Sequence, residues 1–235
     1  MRNLLIILVA IFLFSCNGEH KNTKLAGTVF GTSYSIIYDS DVNYEIQFDS
    51  LFYIINKSMS TYQVNSDISK LNRNESFEID EHFIKVYDVS KEIFGQTEGA
   101  FDPSIGNVVN AWKFGAEDTI EVVDSLKIDS LMQYVGYDKT YRYNNTIRKS
   151  NPNVYIEFNA IAKGYGVDVI GEFLESQKVN NYLVEIGGEI RVKGINSERQ
   201  TNWKVGVEEP NFEGQQSILK AITLQDEAMA TSGTY

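Results

Sequence analysis

The sequence holds one cysteine, Cys16, two histidines and three prolines in 235 residues. With a single thiol there is no disulfide within the chain, even in an oxidising compartment. Cys16, His20 and His82 are too few to build a Cys/His zinc site. A Ser-His-Asp triad would have to rest on His82, with nothing nearby in sequence to support it. A metal, if present, must be held by oxygen, which points to Mg2+ or Ca2+. Positive charge is also scarce: 21 Lys and Arg stand against 32 Asp and Glu, a net charge of −11. Such a surface repels nucleic acid, and no basic run or arginine stripe overrides it. A small phosphorylated ligand is not excluded, because a few local cations suffice for it. No repeat, low-complexity segment or clear linker follows residue 25. What remains is a chain with 43% apolar residues, enough for one or two globular domains.

The first residues read MRNLLIILVAIFLFSC. A short positive start leads into an apolar run too short to span a membrane comfortably, which reads as an export signal. "LFSC" resembles a bacterial lipobox, so Cys16 is the expected lipidation site and residues 1–16 the signal peptide. The alternative is an uncleaved N-terminal anchor. Residues 17–25 are polar and read as a tether, leaving 26–235 as the domain.

Along that domain, "TVFGTSYSIIY" (28–38) reads as a strand. Residues 43–59 place Ile46, Leu51, Phe52, Ile55 and Met59 at helical spacing. Residues 80–94 do the same with Phe83, Val86, Tyr87, Ser90 and Phe94, behind Asp80 as N-cap. A further helix is expected over 124–135, capped by Asp124 and closed near Gly136. A hairpin is expected around Asn144 and Asn145. "NVYIEF" reads as a strand leading into a helix. Four strands follow, in "NYLVEIGGEIRVKG" around Gly187 and Gly188, and in "NWKVGVEEP" and "SILKAITLQ". Strands and helices mix without a strict βαβ rhythm, so the expected class is α+β, with mixed or antiparallel sheets and packed helices.

Chemistry is suggested by "EFNAIAKGYGVD" (157–168). Lys163 falls in the first turn of a helix, where the backbone dipole disfavours a cation. Asn159 can cap that helix. Its free N–H groups together with Lys163 form a site for a phosphate. Gly164 and Gly166 remove bulk, so a large ligand or another backbone can approach. A Glu157–Lys163 surface pair explains the same residues structurally. In "TEGAFDPSIGNVVNAWKFG" (97–115), Asp102 before Pro103 can cap a helix that starts there. The same turn, Ala100-Phe101-Asp102, can instead lay its backbone on a flat ring, with Phe101 or Trp112 nearby. "MSTY" (59–62) and "ATSGTY" (230–235) supply hydroxyls that serve a ligand or simply end a helix and make a turn.

Taken in order, "GTSYSI", "MSTY", "GAFDPSIGNVVNAW", "AIAKGYGVD", "YLVEIGGEI" and "ATSGTY" resemble the FAD:protein FMN transferases, the ApbE-type flavin transferases of bacterial envelopes. The stretches span Gly31 to Tyr235. The resemblance implies an ApbE-like, T-fold-like α+β domain. It implies an enzyme that binds FAD and, with Mg2+, transfers the FMN half to a Thr or Ser hydroxyl of a target protein while AMP leaves. Some relatives instead hydrolyse FAD. The implied targets are envelope-facing, flavin-accepting subunits of redox complexes. The implied location is the periplasmic side of the inner membrane, held through the lipid. Carried over by position, Phe30, Tyr62, Ala100, Phe101, Asp102, Glu157 and Lys163 become FAD contacts, with Lys163 and Glu157 in the catalytic role. Ala160 offers its main-chain oxygen to the metal. Two positions depart from the family pattern: Phe30 stands where methionine is common, and Glu157 where aspartate is common. Relatives continue past "ATSG-Y" with a His-x-x-Asp-Pro stretch and side-chain ligands for the metal, so the 235 residues alone are expected to have low activity.

Overall fold

The computed structural model describes residues 22–117, 124–209 and 217–232. The expected signal peptide, Cys16 and most of the tether lie outside the described residues, as do residues 233–235 of "ATSGTY". Strand β1 (Thr23–Val29) begins inside the expected tether, so residues 23–25 belong to a sheet.

The single strand expected over 28–38 is two. β1 turns at Phe30-Gly31 into β2 (Thr32–Tyr38), and the pair runs antiparallel. Phe30 has φ 52° and Gly31 φ 76°, both left-handed, as a two-residue hairpin loop requires. A phenylalanine is an unusual first residue for such a loop, which hid the turn in the sequence.

Two helices begin where the caps predict, at Asp80 and Asp124. α1 (Glu45–Met59) buries Phe48, Phe52, Ile55 and Met59 at the 4-3-4 spacing of one helical face. Ile46, expected on that face, is 78% exposed instead. A short α2 (Asp67–Asn72) starts at Ser66, whose Oγ accepts from Ser69 N. α3 (Glu81–Gln96) starts at Asp80, whose carboxylate accepts from Phe83 N, and buries Phe83, Val86, Tyr87 and Ser90. α4 (Gly106–Ala111) starts three residues later than expected. Asp102 does not cap it. Its Oδ1 accepts from Ser104 N and Oγ at 2.8 and 2.6 Å, closing a local turn. α5 (Ser125–Met132) is capped by Asp124 as expected but ends before Gly136, which opens a 3-10 turn at Tyr137–Lys139. The hairpin β3 (Thr140–Tyr143) and β4 (Thr146–Lys149) turns at Asn144-Asn145.

"NVYIEF" is extended but is not a sheet strand. The reason is its partner. The Asn72 side chain receives Ile156 N and donates to Ile156 O, at 2.9 and 2.8 Å, so one amide side chain replaces a neighbouring strand. Val154, Ile156 and Phe158 share one buried face, as the alternation predicts. They join Ile55, Leu71, Phe83 and Ile147 in a core between α1, α2, α3 and the β3–β4 hairpin.

α6 (Ala162–Ser176) then packs across the main sheet. Beyond β1 and β2, this sheet contains β5 (Tyr182–Ile186), β6 (Glu189–Lys193) and β9 (Ala228–Met229). All are joined antiparallel, in the order β1-β2-β5-β6-β9. One sheet face sets Tyr34, Ile36, Val184 and Ile186 against Phe48, Phe52, Val167 and Ile170. The other sets Leu183, Ile190 and Val192 against Trp203, Val205 and Leu224 of a separate hairpin, β7 (Trp203–Glu208) and β8 (Ile218–Leu224). The architecture is α+β with antiparallel sheets.

Candidate functional site

α6 and β6 meet through ion pairs. Residues 189, 191 and 193 of β6 share one face by strand periodicity. Arg191 pairs with Asp168 and Glu175 of α6, each at 2.9 Å, and Lys193 pairs with Glu175 at 2.7 Å. In these rungs the helix supplies the acid. At the first rung the signs are inverted: Lys163 of α6 pairs with Glu189 at 2.9 Å. Lys163 Nζ also donates to Gly187 O at 3.0 Å. A carboxylate at 163 would suit the helix start better, since the dipole is positive there. Packing alone therefore does not explain the lysine.

Its surroundings do. Lys163 and Asn159 lie in the wall shared by two cavities. The first, about 750 Å3, is lined by Phe30, Met59, Ser60, Tyr62, Gln63 and Phe114 among others. Tyr62 and Phe114, 64% and 67% exposed, present their rings at that cavity. The second, about 900 Å3, carries Thr32, Ser33, Glu185, Glu189, Thr231 and Ser232. One side is apolar and aromatic, the other rich in hydroxyls and carboxylates, with one ammonium between them. A third cavity, about 870 Å3, lies beyond Ala160 and includes Tyr165, Asp168 and Arg191. Burial pushes the Tyr165 hydroxyl up to about 12, and His82 Nδ1 lies 2.8 Å from it.

The glycines of the helix have separate uses. A Cβ on Gly166 would lie 2.8 Å from Phe30 Cε2, so the glycine admits the Phe30 ring. Phe30 also meets Phe52 edge-on at 5.7 Å, and its left-handed backbone aims it there. Gly164 faces open space in the third cavity. The helix start offers fewer donors than expected. Its N-cap is Ile161, without a side-chain cap, and Ile161 N and Ala162 N already donate to Phe158 O. Asn159 does not cap it. Its Nδ2 donates instead to Glu157 Oε2 at 3.0 Å.

The structure therefore brings together Phe30, Tyr62 and Lys163, with Ala160 in the adjoining walls. Glu157, Ala100, Phe101 and Asp102 do not line these three cavities. They connect through the backbone: Glu157 N donates to Pro103 O at 2.8 Å, tying the 100–103 turn to the segment that enters α6. Phe101 N donates to Thr97 Oγ1. Asp102 Oδ2 accepts from Tyr137 N at 3.3 Å, and Ser104 Oγ from Gly136 N at 2.7 Å. Asp102 thus holds two chain segments together. Its replacement by alanine strips buried partners and is expected to cost about 2–4 kcal/mol of stability, read as a lower urea midpoint.

Burial raises the Glu157 carboxyl above its ordinary value, an effect the Asn159 hydrogen bond opposes. Between the ordinary and the raised value, the folded chain holds a proton on Glu157 that the unfolded chain has released. Stability from this group falls as pH rises from 4.5 through the raised value. Glu157→Gln is expected to melt higher than the parent at pH 7 and to equal it near pH 4. Scanning calorimetry over that range checks this.

Among the described residues, no group of three or more His, Cys, Asp or Glu side chains is placed to hold a metal ion. Ala160, in the wall between the second and third cavities, is the one metal position the sequence suggested. Sequence reasoning missed Glu189 and Phe114. Glu189 sits 26 residues from its partner on another element, which no local spacing reveals.

This chain resembles known proteins over most of its length. It is 35% identical over 247 aligned residues to an FAD:protein FMN transferase of Vibrio cholerae, covering 100% of this chain and 73% of that one. A Haemophilus influenzae protein of the same name is also 35% identical, over 97% of this chain and 70% of its own. The solved flavin transferase ApbE from Vibrio cholerae superposes with TM-score 0.82 at 33% identity, covering 91% of this chain and 72% of that one. The apbe protein from Thermotoga maritima superposes at 0.78 with 25% identity, over 91% and 71%. The ApbE family model matches residues 30–235, and this chain belongs to the ApbE family.

Proposed function

We propose that the protein transfers FMN from FAD to a Thr or Ser hydroxyl of a target protein, with Mg2+, releasing AMP. The carrying observation is the position of Lys163 between an aromatic cavity and a polar one. FAD has the same division: a flat apolar ring at one end and a charged pyrophosphate toward the other. Phe30, Tyr62 and Phe114 offer surfaces for the ring. Thr32, Ser33, Thr231 and Ser232 offer hydroxyls to the phosphates and the nucleoside end.

In the reaction the target hydroxyl oxygen attacks the FMN-side phosphorus. A new P–O bond forms, the bond to the bridging oxygen breaks, and AMP departs with that oxygen. The hydroxyl proton passes to solvent or a base. Negative charge collects on the leaving phosphate, and a fixed ammonium stabilises it. Mg2+ would add further neutralisation of the pyrophosphate. Among the described residues there is no carboxylate cluster for it; Lys163 is the cation these cavities place to meet the leaving group. The partners proposed are envelope-facing, flavin-accepting redox subunits, reached from a Cys16 lipid anchor on the periplasmic side of the inner membrane. No helix among the described residues is long and apolar enough to cross a membrane.

The test is to titrate the full-length protein with FAD, with and without Mg2+, and follow AMP. Mg2+-dependent AMP release that rises with added acceptor protein supports the reading. AMP release indifferent to acceptor would make the protein an FAD pyrophosphatase. Absence of any FAD binding would leave a non-catalytic lipoprotein.

A further inference from the structure

We infer that Glu189 is a positioning residue for Lys163, and that with the Gly187 carbonyl it fixes where the ammonium meets the ligand. The inference rests on the proposed flavin reading and adds a residue to it. An ammonium has three N–H donors on a flexible four-carbon stem. Two are engaged from one side, by Glu189 Oε2 at 2.9 Å and Gly187 O at 3.0 Å. The third is left to face the shared wall of the two cavities.

Both acceptors come from one rigid source. Gly187 and Gly188, at φ 55° and 91°, form the two-residue turn between β5 and β6. A Cβ on Gly187 would lie 2.5 Å from Thr32, so the turn sits tightly against β2. Gly188 N donates to Glu185 Oε1 at 2.8 Å, and Ile186 pairs across with Glu189. The turn therefore presents a carbonyl and a carboxylate at a set separation. Glu189 is 17% exposed and Lys163 30%, so the pair is partly buried, and both residues line the polar cavity.

The inverted rung argues for the same role. The Arg191 and Lys193 rungs join α6 to β6 with the helix supplying the acid. A glutamate at 163 and a lysine at 189 would continue that pattern and suit the helix dipole. The actual order places the cation on the wall that faces both cavities, with Glu189 beside it on the polar one.

A counterion that only neutralises Lys163 and one that positions it predict opposite results. Neutralisation predicts that removing the carboxylate strengthens anion binding. Positioning predicts that it weakens binding, and that an uncharged acceptor restores it. FAD binding to the full-length protein is read from quenching of flavin fluorescence, with melting temperature measured beside it. Glu189→Ala is expected to weaken FAD binding about tenfold. Glu189→Gln, whose amide oxygen still accepts, is expected to stay within about threefold of the parent. Unchanged or tighter binding by Glu189→Ala overturns the inference. Equal weakening in both variants with equal loss of melting temperature also overturns it, because that marks a structural contact. A parent that binds no FAD refutes the functional reading itself, before any variant is compared.

Discussion

Lys163→Met is expected to lower flavin transfer by about 100- to 1,000-fold, the effect of removing one fixed group that meets charge developing in the transition state. The fold should survive. Lys163 joins α6 to β6 at one end of a ladder whose Arg191 and Lys193 rungs remain. Glu189 loses its partner but is partly exposed, so the stability cost should be about 1–2 kcal/mol. Lys163→Arg keeps the charge on a wider planar head and should recover part of the rate. Steady-state kinetics with a urea melt separates the two effects. A large rate loss with a near-parental midpoint places Lys163 in the chemistry. A loss that follows unfolding places it in the packing.

The second large effect is expected from Trp203→Ala. Trp203 is 2% exposed, packs from the β7–β8 hairpin onto the main sheet, and donates Nε1–H to Lys193 O at 3.0 Å. Truncation leaves a cavity and an unanswered carbonyl, at a cost of about 3–5 kcal/mol. The functional consequence is local as well. Val205, Gly206 and Glu208 of β7 line the polar cavity beside Lys163. Loosening that hairpin should weaken FAD binding at temperatures where the rest of the chain is still folded. Chemical denaturation and an FAD titration below the melting transition test the two parts separately. Unaltered FAD affinity in a destabilised variant would show that β7 does not shape the site.

Much of the fold could be read from single residues with strong local physics. Asp80 and Asp124 mark helix starts because a carboxylate answers an N–H three residues on. Gly187-Gly188 marks a hairpin because both positions need left-handed backbone. The misreadings share a cause: a distant partner overrode the local preference. Phe30 takes a left-handed φ because Gly166 and Phe52 make a place for its ring. Residues 154–158 are extended without joining a sheet because the Asn72 side chain takes both backbone groups of Ile156, while Tyr155 makes an isolated bridge to Ile105. Asp102 had a helix start beside it in sequence but is taken by Ser104 and Tyr137.

The site was legible to the same degree. The unfavourable charge of Lys163 at a helix start pointed to a ligand, and the structure places it between two cavities. The alternative structural explanation, a Glu157–Lys163 pair, does not form, because Glu189 of β6 takes the ammonium. That partner is reached only through the packing of β6 along α6, which no local pattern encodes.

The most direct measurement is mass spectrometry of an acceptor. Full-length protein, FAD and Mg2+ are incubated with a purified envelope-facing redox subunit of the source organism, and the subunit is then digested. Flavin transfer predicts one peptide heavier by an FMN group on a Thr or Ser, with one AMP released per peptide modified. AMP release with every acceptor peptide unmodified, using a subunit that carries covalent flavin when isolated natively, would contradict it.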